Sequence, residues 1–446
     1  MMKTLAIAST LALIAGISSP PIQARAFAPY VDMTLWPTPR IDKMGVNRGI
    51  QQFALAFVVA KDGCKPSWGG VLPIPGDGAD PQLSVVRNGI TRFRDKGGEV
   101  MVSFGGANGT SLQQACASNA SLQAAYQTVL DAYHLNRIDF NIEGAAQADT
   151  AANTRNFSTV AALQKDFKAK GKMLHVSLTL PAMPSGLNGD GKAVLNSALD
   201  NGVALDAVNL MTMDYGQAVA DMGAAAKQAA QALYGQLDAA YKAHGLILPD
   251  ALLWQKIGVT PMIGMNNSPS ETFSVANAAD LYRMADSDNF GLLSIWSINR
   301  DKPCPDNGHY VNAQCSGIEQ TPYAFADAFH GFGEHWGLGV SQDPNYDGGS
   351  PATVQRWSAD HAYQAGDVIS YPSPDVIWET PSYSSRGDVP GQSPSWRQLS
   401  GPLQPWNALV PYQSGACALY LGFKYCSARD TQGGMPTSGA PWARAD

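Results

Sequence analysis

Charge is scarce in this sequence: only 15% of its 446 residues are Asp, Glu, Lys or Arg, against 45% hydrophobic. That balance excludes wholesale disorder, which needs low hydrophobicity and a high net charge. Basic residues are the scarcer sign, with 30 Lys and Arg against 37 Asp and Glu and a net charge of −7. Loss of a leader carrying Lys3 and Arg25 would take the charge to −9, so nucleic acid is not an expected partner. A neutral or cationic polymer would not be repelled. No apolar run after Ile17 approaches the roughly 20 residues that a spanning helix needs, so no membrane partner is expected. No GxGxxG follows a strand-like run, which argues against a dinucleotide site. The seven histidines form no HExxH, and the cysteines no CxxC. His330 and His335 are expected as surface residues, with neither a metal nor a cofactor.

The N-terminus has the form of an export signal. Lys3 supplies a basic start, Leu5 to Ile17 an apolar stretch, and Ala24-Arg25-Ala26 a small-x-small cleavage site. Residues 1–26 are therefore expected to be removed, leaving a secreted chain that begins at Phe27. Six cysteines in an exported protein suggest three disulfides. Six thiols allow 15 pairings; nearest neighbours give Cys64–Cys116, Cys304–Cys315 and Cys417–Cys426.

From residue 27 to 336, apolar runs alternate with helix-like stretches. The runs are Phe27–Met33, Phe53–Val59, Val100–Phe104, Arg137–Ile142, Leu174–Leu180, Ala207–Met213, Lys256–Pro261 and Leu292–Ile298. Near-continuous apolarity is expected of parallel strands buried on both faces. The spacing predicts helices over Ser121–Tyr133, Thr154–Lys170 and Val219–His244. Eight strands with intervening helices over about 300 residues fit an α/β fold of the TIM (β/α)8 barrel type. Periodicity alone leaves an open doubly wound sheet as the alternative.

Residues 337–351, polar and rich in glycine, are expected to be a linker. Beyond them lies an internal repeat, read as small all-β modules over 352–400 and 401–446. Trp357, Tyr363, Gly366, Tyr371, Gly387, Pro390 and Trp396 recur as Trp406, Tyr412, Gly415, Tyr420, Gly433, Pro436 and Trp442. All steps agree except that from Tyr to the second Gly. Units this small have marginal apolar cores, so most of these aromatics are expected inside. Tyr383 sits in a polar loop and is a candidate for stacking on sugar rings.

The segment from Asn136 to Gly144 is the most informative. Asp139, Asn141 and Glu143 alternate with Ile138, Phe140 and Ile142, so in a strand three polar side chains share one face. Polar residues at the inner, C-terminal end of a barrel strand lie at the usual catalytic rim. A buried, hydrogen-bonded Glu143 beside Asp139 should have a raised pKa, as a general acid requires. An inward layer of structural polar groups is the other reading of the same pattern.

The segment resembles the DxxDxDxE signature of family 18 glycoside hydrolases, the chitinases. Ser103-Phe104-Gly105-Gly106 is similar to that family's SxGG, Met211 to Tyr215 to its MxxDY-type motif, and Trp296 to its floor tryptophan. Around Tyr30–Trp36 and Ser103–Gly109 the sequence looks closest to a bacterial and archaeal chitinase A-like branch. The stretch from Trp357 to Trp396 looks like a family 5/12 carbohydrate-binding module.

The resemblance implies that Glu143 protonates the glycosidic oxygen and later activates water. The substrate's own 2-acetamido oxygen would attack the anomeric carbon, with net retention. Tyr215 would hold the acetamido group, Asp214 and Met211 would line the sugar site, and Trp296 would floor it. Ser103, Gly105 and Gly106 would support the carboxylates, although turn duty explains the glycines equally well.

Two positions depart from the pattern. Asn136 replaces the first Asp of the signature, and Asn141 replaces the Asp that balances the oxazolinium charge. Loss of that charge could cost about 2–4 kcal/mol, roughly 30- to 1000-fold in rate. In the second repeat, Ala428-Arg429-Asp430-Thr431 replaces the surface aromatics expected of the module. The implied partner is chitin or chito-oligosaccharide, bound by a monomer. A secreted chitin-binding protein with an inactive barrel is the alternative, and an endo-acting N-glycan hydrolase a third. Tyr30, Trp36, Trp68 and Trp254 are candidates for sugar subsites.

Overall fold

The apolar runs of the first three hundred residues become the staves of a closed barrel in the computed structural model. The structure describes residues 25–348, apart from 76–79 and 269. It also describes 355–444, apart from 364–366, 373–375, 381–385, 394, 401–404, 409, 411, 413–415, 421–422, 430 and 437–440.

The first barrel strand is split into Ala26–Phe27 and Tyr30–Asp32. It is followed by Gln52–Lys61, Glu99–Gly105, Arg137–Asn141, His175–Met183, Ala207–Met211, Ile257–Thr260 and Leu292–Leu293. Each neighbouring pair is parallel. The split strand closes the ring, because its first half pairs with the eighth strand and its second half with the second. The open-sheet alternative is thereby excluded. Backbone bonds carry the eighth strand's parallel run past Leu293, with Ser294 N–H on Val259 O and Trp296 N–H on Pro261 O.

The sequence itself starts the helices that wrap this ring. Asp80 caps Pro81–Asp95, Asp149 caps Thr150–Ala169, and Asp221 caps Met222–Ala243, each accepting a backbone N–H of the first turn. Ser118 and Ser274 form capping boxes on Asn119–Ala132 and Val275–Ser287. In the 22-residue helix Met222–Ala243, Ala226, Ala229, Ala230, Leu233 and Leu237 make one buried stripe. Ile138 and Phe140 of the fourth strand point outward into this helical layer, fully buried.

Two boundaries differ from expectation. Arg25 and Ala26, expected to leave with the leader, belong to the barrel. Arg25 pairs with Asp286 at 2.9 Å, donates to Phe290 O at 3.1 Å and lies over the Phe332 ring. Ala26 N–H donates to Gly291 O. The expected linker also packs on the barrel as far as residue 346. Gly339 N–H donates to Gly97 O, Val340 and Tyr346 are buried, and Asn47 donates to the carbonyls of Pro344 and Tyr346. Isolated apolar residues among backbone bonds leave no periodic trace in a sequence.

The tail forms a four-stranded sheet (Gln355–Arg356, Val368–Ser370, Ile377–Glu379, Arg397–Ser400) and a three-stranded one (Cys417–Tyr420, Phe423–Ser427, Trp442–Arg444). The repeat extends to ring geometry. Trp357 meets Tyr371 edge-on at 5.0 Å, and Trp406 meets Tyr420 at 5.4 Å. Tyr363 and Trp396 pair at 5.1 Å, Tyr412 and Trp442 at 4.9 Å. The Tyr363 and Tyr412 hydroxyls accept the N–H groups of Ser358 and Asn407. Tyr383 lies outside the described residues. All three disulfides join the expected neighbours.

Candidate active site

Register brings the polar residues of adjacent staves together. Ser103, Asp139 and Ser177 stand side by side on the third, fourth and fifth strands. Asp139 is fully buried and accepts hydrogen bonds from four hydroxyls. Tyr30 at 2.9 Å and Ser103 at 2.6 Å donate to Oδ2; Ser177 and Thr179, each at 2.7 Å, donate to Oδ1. Burial pushes the Asp139 carboxyl up, and those hydrogen bonds pull it back. The chain continues from Thr260 to Asn209 and from Asn209 to Thr179, so polar groups of the fourth to seventh strands form one connected layer.

Asn141 stands one step higher on the same face. Its amide N–H approaches Met211 Sδ at 3.5 Å, while its buried Oδ1 has no partner among the described residues. Gly105 and Gly106 have positive φ values of 104° and 89°. A Cβ on Gly105 would collide with the Asn141 carbonyl, and one on Gly106 with the Phe57 ring. Close approach, in addition to turn duty, requires glycine here.

Glu143, just past the strand, is half-buried, with its pKa raised from 4.5 to about 7. Burial is the larger cause and the charge of Asp214 the second. Asp214 therefore acts as the charged neighbour expected of Asp139. The gap between Glu143 and Asp214 in sequence hides that relation.

Asp214 and Tyr215 follow the sixth strand. Asp214 adopts a left-handed φ of 48°, and its carboxylate accepts the N–H groups of Asn267 and Ser268 and the Asn267 amide. Tyr215 is buried; burial first, then the nearby Glu271 charge, push its phenol up. Its hydroxyl has no partner among the described residues. Trp296 stacks on Phe57 at 5.3 Å and meets Tyr30 edge-on at 6.0 Å, forming an aromatic floor beside Asp139.

Of the four candidate subsite aromatics, Tyr30 enters the Asp139 layer and Trp36 is 73% exposed. Trp68 is instead fully buried, donating to the Tyr133 hydroxyl at 2.8 Å. Trp254 packs between Tyr234 and Phe290 in the helical layer. Trp68 is a core residue, and Trp254 is half-buried against the core. Sequence reasoning missed Phe57, Ser177, Thr179, Asn209 and Glu271. The alternation Val176-Ser177-Leu178-Thr179-Leu180 carries the same period-2 signal as the fourth strand and could have revealed two of them.

A closed (β/α)8 barrel with a buried aspartate cradle beneath a half-buried, proton-retaining glutamate defines a barrel of the acid–base class. The chain belongs to glycosyl hydrolases family 18, whose sequence pattern matches residues 82–258. It is 35% identical over 320 residues to the probable bifunctional chitinase/lysozyme of Escherichia coli strain K12, covering 69% of this chain and 34% of that protein. It is 34% identical over 289 residues to Endochitinase 11 of Metarhizium anisopliae, covering 62% and 52%. The chain thus spans about a third and about half of the lengths of these two relatives. The catalytic domain of a hyperthermophilic chitinase from Pyrococcus furiosus superposes with a TM-score of 0.58 at 30% identity, covering 70% of this chain and 96% of that domain.

Proposed function

We propose that this protein is a secreted chitinase that hydrolyses β-1,4-N-acetylglucosamine linkages with retention of configuration. One observation carries the proposal: Glu143, its pKa raised to about 7 by burial and Asp214, follows the strand that bears Asn141, and Tyr215 is the neighbour of Asp214 in the chain. Asn141 Oδ1 and the Tyr215 hydroxyl are buried polar atoms with no partner among the described residues. An acetamido group would satisfy both, its N–H donating to Asn141 and its carbonyl oxygen accepting from Tyr215. The chitinase names of the relatives support the same substrate class.

In this mechanism the protonated Glu143 donates to the glycosidic oxygen as the bond to the anomeric carbon breaks. The substrate's acetamido oxygen attacks that carbon and forms an oxazolinium. The Glu143 carboxylate then takes a proton from water as the water opens the oxazolinium, leaving the original anomer. Asn141 accepts the acetamido hydrogen bond without supplying charge, so turnover is slowed. The first tail repeat is read as a chitin-binding module of the 5/12 type and the second as its divergent copy.

Export is part of the proposal, with the leader removed near Ala26; the barrel contacts of Arg25 and Ala26 support a cut between Ala24 and Arg25 as the form that keeps them. Proton NMR of chitotetraose hydrolysis tests the mechanism. The β-anomer should form first, and formation of the α-anomer first would exclude substrate-assisted retention.

A further inference from the structure

We infer that Glu271 is a positioning residue for Tyr215, acting through the hairpin Gly264–Met265/Thr272–Phe273. The inference rests on the proposed hydrolysis. Glu271 lies outside every motif that points to the site, yet it is 1% exposed.

The turn carrying Asp214 and Tyr215 leaves the sixth strand in a left-handed conformation, so local backbone preference does not hold it. Instead, three successive N–H groups are held by the hairpin. Asp214 N–H donates to Asn266 Oδ1 at 3.2 Å, Tyr215 N–H to Glu271 Oε2 at 3.1 Å, and Gly216 N–H to Ser268 Oγ at 3.2 Å. Asp214 returns the grip by accepting from Asn267 and Ser268. The hairpin is itself anchored. The buried Arg300 donates to the carbonyls of Ile263, Met265 and Asn312, and Met265 N–H donates to Ser316 O.

Within this clasp the Tyr215 N–H is held by the buried Glu271 carboxylate, which the Ser268 side chain and the Gln217 backbone also support. A neutral side chain would satisfy the N–H at lower desolvation cost, as Asn266 and Ser268 do on either side. A charged acceptor makes the stronger bond, and at 3.1 Å this one is the shortest of the three. Glu271 thus fixes where the Tyr215 hydroxyl stands.

The test is a double-mutant cycle of Glu271→Ala with Tyr215→Phe on the full chain, read as kcat and KM for chitotetraose. Affinity for chitotetraose is measured in parallel in a Glu143→Gln background. Glu271→Ala should lower kcat by about 10- to 100-fold, with KM moving less than about threefold. Glu271→Gln, whose amide oxygen still accepts the N–H, should recover most of the loss. In the Tyr215→Phe background, Glu271→Ala should cost nothing further.

Multiplying losses in the cycle, or an unchanged kcat in folded Glu271→Ala, would overturn the inference while leaving the hydrolytic function intact. If the alanine variant does not fold, Glu271→Asp, which withdraws the oxygen by one methylene, carries the same expectation and the same refutation. A parent that neither cleaves nor binds chitotetraose overturns both the function and this inference.

Discussion

On the proposed mechanism, Asn141→Asp should raise turnover and move its alkaline limit upward. Residues 141 and 143 project from the same face two positions apart, which places a new carboxylate about 6 Å from that of Glu143. At an effective dielectric of about 20, two like charges at that distance repel by about 3 kcal/mol. That corresponds to about two pH units. Glu143, which already holds its proton to about 7 because of burial and Asp214, should hold it further into the alkaline range. A general acid must be protonated, so the fall of rate with rising pH should shift from about 7 toward about 8–9.

The rate itself should rise about 30- to 1000-fold, from about 2–4 kcal/mol of added stabilisation of the oxazolinium. The free protein should become less stable by about 1–3 kcal/mol, since Met211 Sδ is a poor partner for a buried carboxylate. Initial rates on chitotetraose from pH 4 to 10 provide the assay, with circular dichroism as the check on folding. A folded variant with no gain in rate at any pH and an unmoved alkaline limb would refute the reasoning.

Glu143→Gln should abolish turnover and change the pH dependence of stability. The folded pKa is raised, so the stability contributed by the neutral carboxyl is complete below pH 4.5 and lost as the pH rises through about 7. That gap corresponds to at most about 3 kcal/mol, reduced by solvent at a half-buried group. The variant should match the parent's Tm at pH 4 and exceed it by a few degrees at pH 8; equal Tm values at pH 8 would contradict this. A chain beginning at Phe27 should melt several degrees below one beginning at Arg25. It loses the Asp286 ion pair, the Phe290 and Gly291 bonds and the first pairing with the eighth strand. Calorimetry of the two forms decides the point, and the intact mass of exported protein should correspond to an Arg25 start.

The barrel was legible because parallel staves buried on both faces write themselves as apolar runs, and because caps such as Asp149 and Ser274 stand at helix starts. The alternation through Asp139, Asn141 and Glu143 located the rim for the same geometric reason. What stayed hidden depends on contacts between distant segments. The Lys65–Trp68/Leu72–Pro73 hairpin and the Gly264–Phe273 hairpin have strands too short for a period to register. The raising of the Glu143 pKa by Asp214 requires the fourth and sixth strands to lie two staves apart in a closed ring. Trp68 and Trp254 illustrate the converse. An aromatic expected at a sugar subsite can instead pack into or against the core, and only contact with Tyr133, or with Tyr234 and Phe290, reveals it.

Release of soluble N-acetylated oligosaccharides from colloidal chitin, by the chain beginning at Arg25 and by its Glu143→Gln variant, is the most direct measurement. The parent should release product near pH 6, and the folded variant should release none while still sedimenting with the chitin. A parent inert from pH 4 to 9, or a Glu143→Gln variant that keeps the parent's rate, would contradict catalysis by Glu143.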